Sequence, residues 1–239
     1  MATYLVQQTL DGLGRDIVAG KLPEGHVVTA QQLATELGVS QPVVRESIRV
    51  LQSIGLVSSV KRVGVKVLAS SSWNYFDPLV IKWRLDSEAS FAQLRSLNEL
   101  RTAVEPVAAS LAATHAPDAI TTQLLRLAGE LRAEVRAGNQ QRFIEVDMLF
   151  HTTILEASGN EMFRMLAGPM GLTVSARNNL GLLPELPDEA SMQLHVDLAD
   201  AIQGHRSSDA RDTAWRLVCA INEELESTWR TTPRFYPTD

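Results

Sequence analysis

Apolar residues recur at helical spacing in three short segments of the first 69 residues, and each segment ends at a turn signal. The second segment opens on a capping-box pattern at Thr29 and ends at Gly38, and Ser40 stands where it can cap the third. Two β-prone runs, 56–60 and 65–68, follow. This order of helix, helix, tight turn, helix and hairpin predicts a winged helix-turn-helix.

The rest of the chain has a different pattern. From residue 77 to residue 229 the apolar positions are helical almost throughout, glycine and proline fall mainly between the periodic segments, and no strand run occurs. We therefore predict six or seven antiparallel helices and a mainly α fold. The expected divisions are a DNA-binding domain over 1–69, a linker over 70–76, an all-helical effector-binding and dimerisation domain over 77–232, and a tail over 233–239.

Charge sharpens this division. The 239 residues carry a formal net charge of −6, yet residues 1–68 hold seven basic and five acidic side chains, a local charge of +2. The remainder therefore carries −8, which argues against indiscriminate coating of nucleic acid and suggests that the two parts have different partners. A single cysteine, no signal-peptide pattern and no long apolar run predict a soluble cytoplasmic protein that makes no membrane contact.

The predicted third helix carries the residues that suit DNA. Arg45 and Arg49 lie off its apolar face, so in a major groove they would reach guanine edges or phosphates, and Ser40 could hold a phosphate oxygen. The hairpin turn around Lys61, Arg62 and Gly64 could enter the neighbouring minor groove. The alternative is a small helical domain whose arginines only solvate a helix face, although the tight turn and the basic hairpin together favour DNA binding.

Polar residues interrupt the apolar stripes of four helices in the second part. If they were scattered, each unpaired buried polar group would cost roughly 1–3 kcal/mol, so convergence on one site is the economical hypothesis. Each also has an ordinary explanation as a hydrogen-bonded core residue, for instance a pair between an aspartate and a histidine or between an arginine and Glu105. The five interruptions are Arg101, Asp147, His151, His195 and Asn222.

A converged site of this composition suits a metal and an acid. Asp147 and His151 are one helical turn apart and could share a divalent ion of the zinc or nickel type, with His195 as a third ligand. An interior arginine, Arg101, favours a carboxylate that it can grip with two hydrogen bonds. The alternatives to an effector site are a metal-dependent enzyme and a metal sensor, both using Asp147, His151 and His195.

The segments 17–25 and 33–51, IVAGKLPEG and LATELGVSQPVVRESIRVL, resemble the GntR superfamily of transcription regulators. The resemblance implies that Ser40, Gln41, Arg45, Arg49 and Gly64 contact operator DNA. A homodimer on a palindromic operator is expected, because helix-turn-helix proteins usually bind two half-sites. The family usually has arginine at the position of Gln41, and glutamine reads adenine without adding charge, so the half-site is expected to differ.

The segments 99–106, 147–151 and 195–202, ELRTAVEP, DMLFH and HVDLADAI, resemble the FadR subfamily with its all-helical FCD ligand-binding domain. The resemblance implies metal binding by Asp147, His151 and His195 and a carboxylate effector beside the metal. The family's last histidine is missing, and Asn222 is its best substitute. Residues 73–83 resemble the linker region of galactonate-operon repressors, which implies a sugar acid as effector, and a repressor is the leading hypothesis.

Overall fold

The computed structural model describes residues 2–60, 63–182 and 187–234. The chain divides into two compact units, one built on Met1–Gln93 and the other on Leu94–Pro233. Helices dominate both units, and the strands that the structure describes form one small sheet within the first. The predicted mainly α fold class is therefore confirmed, with a winged helix-turn-helix followed by an all-helical domain.

The first unit follows the predicted order with two additions. Strand β3 lies between β1 and β2 and is antiparallel to both, so the sheet order is β1-β3-β2. The additions are the two-residue strand β1 and the helix α4. In chain order the elements are α1 (Ala2–Val18), β1 (Val27–Val28), α2 (Ala30–Leu37), α3 (Gln41–Ser53), β2 (Val57–Val60), β3 (Gly64–Val67), a 3-10 turn (Ser70–Ser72) and α4 (Pro78–Leu85).

Local sequence explains the boundaries of the two helices around the tight turn. The Thr29 hydroxyl accepts the amide of Gln32, and the Gln32 side chain accepts the Thr29 amide at 2.9 Å, so the predicted capping box is present. Gly38 ends α2 with φ 64°, a left-handed conformation that suits glycine. Ser40 occupies the N-cap of α3, but its hydroxyl makes no capping hydrogen bond and is exposed.

Helix α4 is tied to α1 by one aromatic side chain. The Trp83 ring is fully buried, and its indole nitrogen donates to the Asp11 carboxylate at 2.9 Å. The backbone of α1 at Gly14 packs directly against the ring, since a Cβ added to Gly14 would come within 2.5 Å of three ring atoms. This close approach exists because α1 has no side chain at that point.

The second unit is a bundle of helices linked by short turns. Helix α6 packs on α7 and α9, α7 on α8, and α9 on α10. Eight helices lie beyond residue 77 in the described part of the chain, against the six or seven predicted, and one of the eight, α4, belongs to the first unit. Those of the bundle are α5 (Ser90–His115), α6 (Asp118–Ala137), α7 (Gln140–Ala157), α8 (Glu161–Asn179), α9 (Glu189–Gln203), α10 (Ser207–Glu224) and α11 (Glu226–Thr231).

Small residues let α5 enter the centre of the bundle. Ala108, Ala109, Ala112 and Ala113 are all fully buried and form part of one apolar core. These alanines place the second half of α5 in the core of the bundle. No helix among the described residues is both long and apolar enough to cross a lipid bilayer.

The contact between Gly14 and Trp83 predicts opposite effects for two glycines of α1. We expect Gly14→Ala to destabilise the protein by about 1–3 kcal/mol, because the new methyl group must displace a buried ring. Gly12→Ala is the matched control: nothing lies within 4 Å of its Cβ position, so it should stabilise the helix by about 0.5–1 kcal/mol. Urea unfolding measures both, and equal effects would contradict the packing described.

Candidate functional site

One face of α3 presents the residues predicted to touch DNA. Gln41, Arg45 and Arg49 follow one another at intervals of four, and all three are exposed, while the opposite face of α3 is buried. Arg45 donates to the Gln41 side chain at 3.4 Å, and Arg49 pairs with Glu46 at 2.9 Å. Both interactions are at the surface and contribute little, so these side chains are free to exchange them for a nucleic acid.

The predicted wing is described only in part. Lys61 and Arg62 lie outside the described residues. Gly64 begins β3 with φ 137°, and a Cβ there would come within 2.6 Å of the Val28 carbonyl oxygen. Glycine is therefore required at this position by the pairing of β1 with β3, whatever its contact with DNA.

In the second unit a cavity of about 440 Å³ lies among α7, α8, α9 and α10. One part of its lining is the buried trio predicted to bind metal, Asp147, His151 and His195. Leu217 and Ile221 of α10 form an apolar part. A cavity of this size suits a small organic molecule, and its mixed lining suits one with polar and apolar portions.

The trio converges on one point. One ligand atom from each of Asp147, His151 and His195 lies within 4.8 Å of the others. Nε2 of His195 is 3.2 Å from one oxygen of Asp147, and Nε2 of His151 is 3.8 Å from the other. The fold therefore brings together Asp147 of α7 and His195 of α9, which are 48 positions apart in the chain.

Each of the two histidines has an oxygen atom close to its Nδ1. Nδ1 of His195 lies 2.8 Å from the Ser191 carbonyl oxygen, and Nδ1 of His151 lies 2.8 Å from a carboxylate oxygen of Glu105. The hydrogen bond at Nδ1 of His195 and the ion-pair contact at Nδ1 of His151 leave Nε2 of each ring as the coordinating atom, an arrangement common around protein-bound metals. Two imidazoles and one carboxylate with an open fourth position fit a zinc-like ion.

Charge is balanced within this cluster. Burial by itself would raise the pKa of Glu105, but the Arg101 guanidinium and His151 hold it at about 2. Burial likewise acts to raise the pKa of Asp147, yet His151, His195 and Arg101 keep it well below its usual range. Both carboxylates are therefore ionised at neutral pH, as a cation site requires.

Arg101 and Asn222 lie away from the cavity lining. The Nε of Arg101 donates to Glu105 at 2.6 Å on the same helix, and both side chains are 2% exposed. Asn222 is half-buried and donates to the hydroxyl of Thr102 at 2.9 Å. Neither is among the described residues that line the cavity. Their roles in effector binding stay predictions.

Sequence reasoning missed a second arginine. Arg177 of α8 lines the cavity, is buried, and donates through Nη2 to Glu224 of α10 at 2.8 Å. The signal was present, because Met170, Val174 and Arg177 form an inward stripe with a basic residue at its end. That helix was not among the four whose polar interruptions suggested a site.

The two units resemble two different sequence families. The model of the bacterial regulatory proteins, gntR family, matches residues 5–67, and the FCD domain matches residues 96–219. The chain is 30% identical to the HTH-type transcriptional regulator YieP of Escherichia coli over 156 residues, 65% of this chain and 68% of that protein. It is 25% identical, over 84% of this chain and 80% of the other, to a protein of Paenarthrobacter nicotinovorans named "Probable D-xylose utilization operon transcriptional repressor".

Solved structures share the fold at lower identity. A GntR protein of Streptococcus agalactiae is similar with a TM-score of 0.50 and 22% identity, over 91% of this chain and 99% of that one. McbR/YncC of E. coli is similar with a TM-score of 0.53 and 17% identity, over 94% and 98% of the two chains. These likenesses agree with the sequence families on the architecture.

The buried pair of Arg101 and Glu105 leads to a stability prediction. We expect Arg101→Met to cost about 3–5 kcal/mol, because it leaves a buried carboxylate without its cation, and Arg101→Met with Glu105→Leu to recover most of that loss. The control is Arg126→Met, which breaks the exposed pair with Glu130 and should cost less than about 1 kcal/mol. Urea unfolding at neutral pH decides, and similar losses for both single variants would contradict the buried pair.

Proposed function

Because the chain belongs to the GntR family of bacterial regulatory proteins, we propose that it is a repressor that leaves its operator when a small acid binds the helical domain. Members of this family are DNA-binding transcription regulators, so the protein is a transcription regulator and not an enzyme. The repressor role, the FadR subfamily and the effector are the proposed parts. A regulator of chromosomal genes acts in the cytoplasm, which is the proposed location.

The observation that carries the proposal is the presence of two features in one protein, an exposed Arg45–Arg49 face on α3 and a cavity with polar and apolar walls in the other unit. The exposed face of α3 suits a major groove, where arginine reads guanine and Gln41 reads adenine. We propose that Ser40, the wing at Lys61 and Arg62, and Gly64 add contacts to phosphates and the minor groove.

We propose a homodimer on a palindromic operator. A single helix-turn-helix reads a short half-site, and two copies related by a two-fold axis read two half-sites about one helical turn apart. A dimer therefore binds DNA with higher affinity and specificity than a single α3 face, which carries few positive charges.

We propose a small carboxylate, and more narrowly a sugar acid, as effector. The cavity offers cationic and histidine side chains for a carboxylate and hydroxyl groups, and Leu217 and Ile221 for a carbon chain. The similarity to a protein named for D-xylose utilization supports an effector derived from sugar. Binding changes DNA affinity only if the effector favours one arrangement of the dimer over another.

We propose that Asp147, His151 and His195 hold a divalent metal in this cavity. FCD domains often bind metal, and the three donors and their partners at Nδ1 fit a zinc-like ion. The ion would supply a positive charge and open coordination positions for effector oxygens. The alternative is a metal sensor, in which the ion itself is the effector and the same three residues bind it. Gel retardation with and without a chelator distinguishes the two roles.

The DNA-binding role predicts a specific loss. With DNA from upstream of its own gene, Arg45→Ala and Arg49→Ala should each weaken gel retardation about tenfold or more. Where the removed arginine binds a phosphate, the slope of log affinity against log salt should also fall by about one. Arg126→Ala, which changes an exposed arginine of the helical domain, is the control and should bind normally. No sequence-specific retardation by the wild type would refute the function.

The metal role predicts a defined stoichiometry. Elemental analysis of purified protein should find about one divalent ion per chain, and His195→Ala should lose it because a site of three protein ligands cannot spare one. His115→Ala, which changes an exposed histidine at the end of α5, should keep it. Gel retardation with and without a chelator distinguishes the roles: a metal sensor changes its DNA affinity when metal alone is removed, and an effector-responsive regulator needs the acid.

A further inference from the structure

We propose that Arg177 is the residue that binds the effector's carboxylate, and that Glu224 occupies Arg177 until the effector displaces it. The inference rests on the proposed function, since it assumes an effector in the cavity. It transfers the role of carboxylate clamp from Arg101, to which the sequence pointed, to a different arginine on a different helix.

Arg177 is a buried residue of α8. Its side chain is 7% exposed and lines the cavity. Nη2 is bound to Glu224, while Nε is buried without a hydrogen-bond partner among the described residues. A buried N–H without a partner loses free energy, so a ligand that brings an acceptor gains what the protein lacks.

The two buried arginines, Arg101 and Arg177, have partners that differ in exposure. Glu105, the partner of Arg101, is 2% exposed, so moving it away would leave a charge unpaired in the interior. Glu224, the partner of Arg177, is 55% exposed and can turn into water at little cost. Of these two pairs, only that of Arg177 and Glu224 can exchange its carboxylate for that of a ligand.

Charges of both signs act on Arg177. Burial and the neighbouring charge of Arg101 both lower the pKa of Arg177, whereas Glu224 and Asp147 raise it. The guanidinium is thus a desolvated cation that is stable only with a carboxylate beside it. An entering carboxylate replaces Glu224 in this role, so the exchange keeps the charge of the cavity unchanged.

The exchange also determines the ligand class. Arg177 and the cluster of Asp147, His151 and His195 line the same cavity, with apolar Leu217 as a further wall. A ligand that satisfies both polar groups carries a carboxylate at Arg177 and a hydroxyl or second carboxylate for the histidine cluster. Short hydroxy acids and sugar acids meet this description, and uncharged sugars do not.

The pair of Arg177 and Glu224 connects two helices of the bundle. The ion pair joins α8 to α10, so a ligand that takes Arg177 releases Glu224 near the end of α10. Effector binding then changes the interaction between two helices. Regulation requires such a difference between the free and bound states.

The test uses two variants with opposite expected signs. Full-length protein is titrated calorimetrically with malate and with D-gluconate, and with D-glucose as the uncharged counterpart. Glu224→Gln removes the internal competitor and should bind the carboxylates several-fold tighter than the wild type. Arg177→Gln should bind them at least about tenfold more weakly, because a charge-assisted hydrogen bond is removed. Arg177→Lys keeps the charge and should fall between the wild type and Arg177→Gln.

Arg164→Gln is the matched control, since Arg164 is exposed on the same helix and its removal should change nothing. Thermal unfolding of each variant verifies that it is folded. If both Glu224→Gln and Arg177→Gln weaken binding, the pair is structural and the proposal is overturned. It is also overturned if neither carboxylate binds the wild type or Glu224→Gln. Gel retardation by the ligand-free wild type is scored separately, so a failure of the regulator function is recognised independently.

Discussion

The buried negative charge of Asp147 is the constraint on which the helical domain depends. A carboxylate in that position is tolerated only because two histidines and the charge of Arg101 oppose it. Those opposing groups themselves contact further partners, so a continuous series of polar contacts, which we call the polar chain, crosses three helices. It connects, in order, Arg101, Glu105, His151, Asp147, His195 and the carbonyl of Ser191. Shifting α5, α7 or α9 by one helical turn would leave a buried charge without its partner. This series of polar contacts therefore fixes the register of the three helices.

This constraint explains why two arginines in one domain behave differently. Arg101 is a member of the polar chain, and its partner has no route to water. Arg177 contributes to the same electrostatic balance, but its partner lies at the exposed end of α10. Burial of the partner, more than burial of the arginine, separates an arginine that holds a fold together from one that can receive a ligand. A stripe pattern in the sequence reports only the arginine's own burial.

Sequence reasoning succeeded where the signal was local and failed where it depended on distant residues. The capping box at Thr29 and the left-handed Gly38 need only their neighbours in the chain, and both were predicted correctly. Strand β1 is two residues long and exists only because it pairs with Val65 and Lys66 of β3, so no local pattern predicts it. The burial of Asp147, His151 and His195 was predicted from the helical periodicity of apolar residues. The partner of Asn222 could not be predicted in this way, because it is a threonine 120 positions away in the chain.

The geometry of the cavity makes its two polar groups interdependent. Asp147, His151 and His195 line it together with Arg177, so a cation held by the trio adds positive charge to the space that a carboxylate must enter. Thermodynamic linkage then requires that the carboxylate strengthen cation binding by the same factor. Among the described residues, α10 contributes no histidine to the cavity lining, so the trio leaves more coordination positions to the ligand than a site of four protein ligands would. The coupling between the proposed acid and the proposed metal should therefore be stronger in this chain than at a site that the protein fills by itself.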